Sequence, residues 1–431
     1  MGLLHWIKLA LIRVLLSSML IVTIGCSSEE VRKEDPTPTT DTQPTPPNAY
    51  KLKVSRHDSL SFNDSGADAI FSLATQVAHD TACDIGLIRD GGITIFVSPN
   101  IVNSPEDLDN LMHQPGHVKV LNQINWCGGV APNILGCAPI PGDSYVVVRY
   151  QPTLEGILWL HEYGHNKGLQ HRDNPDAVMN PTISPTRTNL TTQECTNYKI
   201  ASIHAAATDS PSPSYDLQQA SDKRSRTVRE FVRQVFIHGV PYEEARKFGL
   251  EDVPTLFEML NDEGEQEYWA NIVVVLGIIG DEQTPDRLIQ FIEGNGDEAI
   301  SPAQYRAKTS AIVALGYLVN KAKSLKALSY LQNKVNPQKW QEEKKVLWRS
   351  PFQASMTARD EQLSSMAILG LALSGSEEAS KTLEAMKQPA SSDSAEKFQR
   401  QVGPLVQEAM RTNKLVRERG LSEYYRKRGK E

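Results

Sequence analysis

Five cysteines in 431 residues are too few to staple together a disulfide-built miniprotein, and beyond the first 25 residues no apolar run approaches the roughly 20 residues of a membrane-spanning helix. A polytopic membrane protein is thereby excluded. Positive charge is scarce too. Lys and Arg number 45 against 52 Asp and Glu, a formal net charge of -7, so nothing calls for nucleic acid or another polyanion as partner. Aromatic residues make up 7% and hydrophobic residues 40%, an ordinary globular composition on a chain long enough for two or three cores.

Met1 to Gly25 carries Lys8 and Arg13 ahead of an uncharged stretch from Val14 to Gly25, the layout of a secretory signal. It ends Thr23-Ile24-Gly25-Cys26, which resembles the bacterial lipoprotein signal, in which a cysteine after a small residue is lipid-modified and becomes the first residue of the mature chain. The resemblance implies removal of residues 1–25, lipidation of Cys26 and membrane attachment through that lipid, with an extracytoplasmic body held in the bacterial cell envelope. Ser27 is unlike the aspartate of inner-membrane retention, which points to the outer membrane. An uncleaved anchor helix is the alternative reading, and it too exports the body. Residues 26–47 include Asp35-Pro-Thr-Pro-Thr-Thr-Asp-Thr-Gln-Pro-Thr-Pro-Pro47, a linker without the apolar side chains a core needs.

Cys83, Cys127, Cys137 and Cys195 all precede residue 196, as export predicts for disulfides in a first folded domain over residues 48–208. Three pairings are open. Cys127 and Cys137 bracket a Gly/Pro-rich loop and would close a short one, leaving Cys83 with Cys195.

Residues 161–173 read His-Glu-Tyr-Gly-His-Asn-Lys-Gly-Leu-Gln-His-Arg-Asp. On a helix His161 and His165 project from one face a turn apart, which suits two imidazoles meeting one tetrahedral zinc. Glu162 beside them can take a proton from an attacking water and hand it to a leaving amine, the work that peptide hydrolysis requires. Gly168 allows a left-handed turn that returns the chain so that His171 supplies a third ligand. Upstream, Thr153 is the expected N-cap, and Leu154, Ile157 and Leu158 continue the histidine face as an apolar stripe. A single histidine on such a stripe would be an ordinary core residue, but a chance match to the whole pattern occurs about once in 10⁴ to 10⁵ sequences of this composition.

The pattern H-E-x-x-H-x-x-G-x-x-H followed by a methionine turn resembles the signature of the metzincin metallopeptidases. Met179, in Ala177-Val-Met-Asn-Pro181, matches the turn methionine, and the short run from His171 to Met179 is most like that of matrixins. The resemblance implies a zinc endopeptidase acting on protein or peptide substrates, with His161, His165 and His171 as metal ligands, Glu162 as general base and acid, Gly168 as the turn and Met179 as a packed floor. Pro181 stands where astacin-type and serralysin-type members carry tyrosine, and no cysteine-switch motif precedes the domain. Asp173 is read as a loop residue near the site, with third-ligand duty as its alternative.

The expected fold class is α+β: a metzincin-like catalytic domain with a twisted mixed sheet and a zinc helix, then an all-α repeat domain. Strands are expected over Lys51–Arg56, Ile93–Ser98, Val118–Ile124 and Tyr145–Tyr150, and helices over Ser65–Ala82 and Thr191–Ala207. Val118–Ile124 is the candidate for the edge strand that pairs with substrate in the family. His113 and His117 lack ligand-type neighbours and read as loop histidines. Asp90-Gly91-Gly92 reads as a turn between strands.

Residues 209–225, with Ser-Pro-Ser-Pro-Ser, form the domain boundary. In residues 226–431 three apolar runs end in Leu-Gly, at Gly277, Gly316 and Gly370, and each is followed by an amphipathic segment. The first step is 39 residues and the second 54, with an insertion expected near Trp340–Ser355. This resembles a short HEAT-like solenoid, which implies a concave surface for a protein partner. The basic tail Lys414–Lys430 reads as a solvated helix end. The rival to a peptidase is a non-enzymatic surface lipoprotein that binds its partner through the repeats and uses zinc structurally.

Overall fold

The computed structural model describes residues 49–81, 83–200, 214–215, 226–294, 296–389 and 393–428. Residues 1–48, including Cys26, and nearly all of the 209–225 boundary lie outside the described residues. The described residues belong to one compact unit. None of their helices is long and apolar enough to cross a membrane. The chain is α+β, with mixed sheets in its first half and helices through its second.

The first half runs β1 (Ala49–Leu52), β2 (Val54–His57), α1 (Asp64–Asp80), β3 (Gly86–Arg89), β4 (Thr94–Phe96), β5 (Ile101–Val102), α2 (Pro105–Met112), β6 (Val118–Leu121), β7 (Gln123–Trp126), β8 (Val130–Ile134), β9 (Gly136–Cys137), β10 (Tyr145–Val148), α3 (Pro152–Asn166), β11 (Thr182–Ile183) and α4 (Thr192–Tyr198). The main sheet has the order β4-β2-β6-β10-β9 and is parallel except for β9. Its central strands β6 and β10 are buried at every position, which is why Tyr145-Val-Val-Val reads as a continuous apolar run. Helix α1 packs along α3, and at the crossing a side chain on Gly156 would meet Leu73 Cβ at 2.5 Å. The disulfides join Cys127 to Cys137 and Cys83 to Cys195, the second tying α4 to the end of α1.

The expected strand Lys51–Arg56 is split at Lys53, whose carbonyl accepts the N–H groups of His117 and Val118, so β1 pairs with β3 while β2 enters the main sheet. Val118–Ile124 likewise breaks at Asn122. Its first part, β6, lies inside the main sheet and its second, β7, pairs with β5 and β8, so it is not an edge strand. The edge beside the histidine helix is β9. Helix α3 starts at Pro152, whose missing N–H suits the first helical position, with Gln151 as N-cap and not Thr153. Helix α4 ends at Tyr198, its start closed by a capping box of Thr191 and Glu194; the remainder of the expected helix, from residue 201, lies outside the described residues.

The second half continues with α5 (Val228–Val232), β12 (Val235–Phe236), α6 (Tyr242–Ala245), α7 (Val253–Leu260), α8 (Trp269–Ile279), α9 (Thr284–Glu293), α10 (Pro302–Ala322), α11 (Leu325–Lys334), α12 (Pro337–Glu343), α13 (Met356–Ser374), α14 (Glu377–Ala385) and α15 (Asp393–Lys427, broken at Gly420). The Leu-Gly runs lie on α8, α10 and α13, which pack side by side in that order. Their glycines sit at the crossings: a Cβ on Gly277 would stand 2.6 Å from Ala314 O, and one on Gly370 would stand 3.1 Å from Ile312 O. The insertion is α12 with the loop to residue 355, and it buries Trp340 and Trp348.

The basic tail is solvated only in part: Lys414, Arg417 and Arg426 are exposed, but its end packs on the first half, and Lys430 lies outside the described residues. Tyr424 Oη accepts the Val130 N–H at 2.6 Å, Tyr425 Oη donates to Val130 O at 3.3 Å, and Arg428 is buried with Nε donating to Cys127 O at 3.3 Å. The long stem of Arg428 and the two rings bury apolar surface that the charge count of the segment conceals. Earlier on α15, Glu408 accepts the Trp126 indole N–H at 3.1 Å.

Gly316→Ala places its Cβ against Gly370 O. It is expected to destabilise the protein by about 1–3 kcal/mol in chemical denaturation despite the better helix propensity of alanine. Gly92→Ala, whose Cβ meets only Asp64 Oδ2 at 3.8 Å, is expected to stay within about 0.5 kcal/mol of the native protein.

Candidate metal centre

Helix α3 carries His161, Glu162 and His165 into the interior, where they are 0%, 0% and 1% exposed. The helix ends as its sequence expects: Gly168 has φ +79°, Leu169 N–H returns to Gly164 O at 3.0 Å, and the reversed chain delivers His171. The following loop is pinned by Arg172, which forms two hydrogen bonds with the Glu194 carboxylate and donates to Asn189 O. Met179 is fully buried beneath α3. A Cβ on Gly164 would stand 2.6 Å from Met179 Sδ and 2.5 Å from Tyr198 Oη, so the helix approaches this floor only because residue 164 lacks a side chain. Tyr198 Oη donates to Leu160 O at 2.9 Å and fixes the floor to the helix.

His161, His165 and His171 come together, and a fourth histidine, His238, joins them from the second half. One ligand nitrogen from each lies within 4.8 Å of all the others. His161 Nδ1 meets Val178 O at 2.8 Å, His165 Nδ1 meets Leu169 O at 2.8 Å, and His238 Nδ1 meets Gly136 O at 3.1 Å. A carbonyl can only accept, so each of these Nδ1 atoms carries the proton and each Nε2 presents a lone pair. Outer carbonyls of this kind fix ring orientation at metal sites. His161 Nε2 and His171 Nε2 stand 3.2 Å apart, close to the roughly 3.3 Å that separates two nitrogens about 2.0–2.1 Å from one tetrahedral ion. Burial, reinforced by the neighbouring imidazoles, holds His161 and His238 well below the ordinary histidine pKa, which keeps both rings neutral, the form that can bind a metal. The four histidines can hold a metal ion.

Glu162 is distinct from every other acidic group near the site. Both carboxylate oxygens are buried without a hydrogen-bond partner, and burial drives its pKa well above the carboxylate range. It lies against β9, where a Cβ on Gly136 would overlap its carboxylate. Asp173 is exposed and stays outside the histidine group. His113 is exposed at the end of α2, and His117 Nδ1 accepts the Lys53 N–H at 2.8 Å; neither joins the centre.

Sequence reasoning misses His238. It has no motif spacing to the other three, and the available sign is indirect: Val235-Phe-Ile-His-Gly-Val240 is a strand-like run in a half that otherwise reads as helices.

No protein-family model matches the chain, and no curated protein matches it.

His165→Ala is expected to weaken Zn²⁺ binding by more than about a hundredfold in a chelator-competition titration, beyond the loss that follows removal of an outer hydrogen-bond partner. His113→Ala, altered at an exposed position, is expected to leave the titration unchanged.

Proposed function

We propose that the chain is a zinc endopeptidase of the matrixin-like metzincin type that hydrolyses peptide bonds of extracytoplasmic proteins. The observation that carries this reading is Glu162. A buried carboxyl with neither oxygen partnered costs the fold on the order of 1–3 kcal/mol or more, and nothing in its packing returns that cost. Such a group beside three converging imidazoles is where a proton shuttle for amide hydrolysis belongs.

Zinc is the metal that suits neutral imidazoles on an H-E-x-x-H helix, and bound there it supplies a Lewis acid for the scissile carbonyl and lowers the pKa of water. His161, His165 and His171 would hold it. Glu162 takes a proton on a carboxylate oxygen from the attacking water and passes it to the leaving nitrogen. The backbone of residues 134–136, which pairs with residues 237–238 in the structure, would be the edge for an extended substrate. With Pro181 after the floor methionine, no tyrosine assists. On this reading Cys26 carries the lipid that keeps the enzyme at the outer membrane, and the HEAT-like helix pairs present a face to a protein partner.

A metal that only braces the fold is the second reading. One observation favours it: with His238 present, four imidazoles fill a tetrahedral shell.

Mass spectrometry of a mixed-peptide library incubated with the zinc-loaded protein tests the role of Glu162. Glu162→Gln is expected to keep its zinc while cleavage falls by about 10²–10⁴-fold. Undiminished cleavage in that variant would remove Glu162 from the mechanism.

A further inference from the structure

His238 arrives on a segment that the peptidase reading does not use, and that segment is paired along both edges. On one side β12 runs antiparallel to β11, with Thr182 opposite Phe236 and Ile183 opposite Val235, and Ile237 N–H donates to Pro181 O at 3.1 Å. On the other side Leu135 N–H donates to Ile237 O at 2.7 Å, and Ile134 bridges His238 in antiparallel sense. Val235, Phe236, Ile237 and His238 are 9%, 5%, 0% and 4% exposed. The segment therefore lies extended between the backbone before β9 and the backbone after the methionine turn, with its histidine ring among the three motif histidines.

The chain leaves the centre immediately afterwards. Gly239 has φ +85°, and a Cβ there would stand 2.8 Å from Pro132 O, so a glycine is required at this turn. Arg428 holds the segment from outside, with Nη1 donating to His238 O at 3.2 Å and Nε donating to Cys127 O at 3.3 Å.

We propose that residues 235–239 are a built-in occupant of the substrate cleft. The segment takes the place of an extended peptide between residues 134–136 and 181–183, and His238 supplies a fourth ligand to the metal. The cleft assignment rests on the peptidase reading; the ligand assignment does not. Four imidazoles leave a tetrahedral ion no position for water or a scissile carbonyl. An intramolecular ligand acts at an effective concentration in the millimolar range, so a free peptide at micromolar concentration displaces it in only a small fraction of molecules. Catalysis then requires the segment to leave, and the Arg428 contact to His238 O to break with it. The substrate that replaces it is itself an extended polypeptide, paired through its main chain on both sides.

Zinc K-edge X-ray absorption on the zinc-loaded full chain separates the two ligand sets, and library cleavage is read on the same samples. The native protein is expected to show four imidazole nitrogens and His238→Ala three with one oxygen, with cleavage rising by about tenfold or more. Arg428→Gln, which leaves every imidazole in place, is the second variant and is expected to raise cleavage in the same direction. A native spectrum of three imidazoles and one oxygen overturns the proposal. So does cleavage by the native protein that neither variant increases. Four imidazoles falling to three in His238→Ala, with no peptide cut by any form, upholds the fourth ligand and overturns the peptidase reading instead.

Discussion

An imidazole offers a metal its Nε2 lone pair only while the proton sits on Nδ1, and in this protein backbone carbonyls keep it there. Val178, Leu169 and Gly136 accept from His161, His165 and His238 in turn. The three carbonyls belong to three separate devices: the methionine turn, the reversal after Gly168 and the edge strand β9. Each device has its own support. The turn rests on Met179 and Tyr198, the reversal on a left-handed glycine, and β9 on its pairing with β10. Ring orientation is thus inherited from backbone geometry, which is stiffer than side-chain packing alone.

Glu162 and Gly136 express a related constraint. The same glycine whose carbonyl holds His238 has no side chain because the Glu162 carboxylate occupies that space. One residue of β9 therefore positions a ring through its oxygen and admits a carboxylate through its missing Cβ.

What was legible in the sequence was local. The histidine helix, the Gly168 turn and the Met179 floor lie within a span of 28 residues, and their spacing alone brings them together. The disulfides followed the same logic for Cys127 and Cys137, ten residues apart. The break of Val118–Ile124 at Asn122 was not legible, because one apolar run serves two different sheets and both parts are buried. Nor was His238, since its approach depends on pairing between segments about 100 residues apart in the chain. The repeat of Leu-Gly was visible as a pattern, but its cause, backbone contact at helix crossings, appears only when Gly277 is seen facing Ala314 and Gly370 facing Ile312. The tail misled because its lysines and arginines outweigh in count what Tyr424, Tyr425 and Arg428 bury.

The contacts of α15 with the first half have a consequence for how the molecule divides. Val130 finds its hydrogen-bond partners in Tyr424 and Tyr425, and Cys127 O finds one in Arg428, across separations of 294 to 301 residues. Trp126 likewise depends on Glu408. A fragment cut at the polar stretch near residue 209 would bare this indole and strand the Val130 N–H, turning an internal seam into exposed, unpaired backbone. The histidine-bearing half is therefore not a removable cassette: its strands β7 and β8 are completed by α15, so integrity of the centre draws on a helix about 300 residues away in sequence.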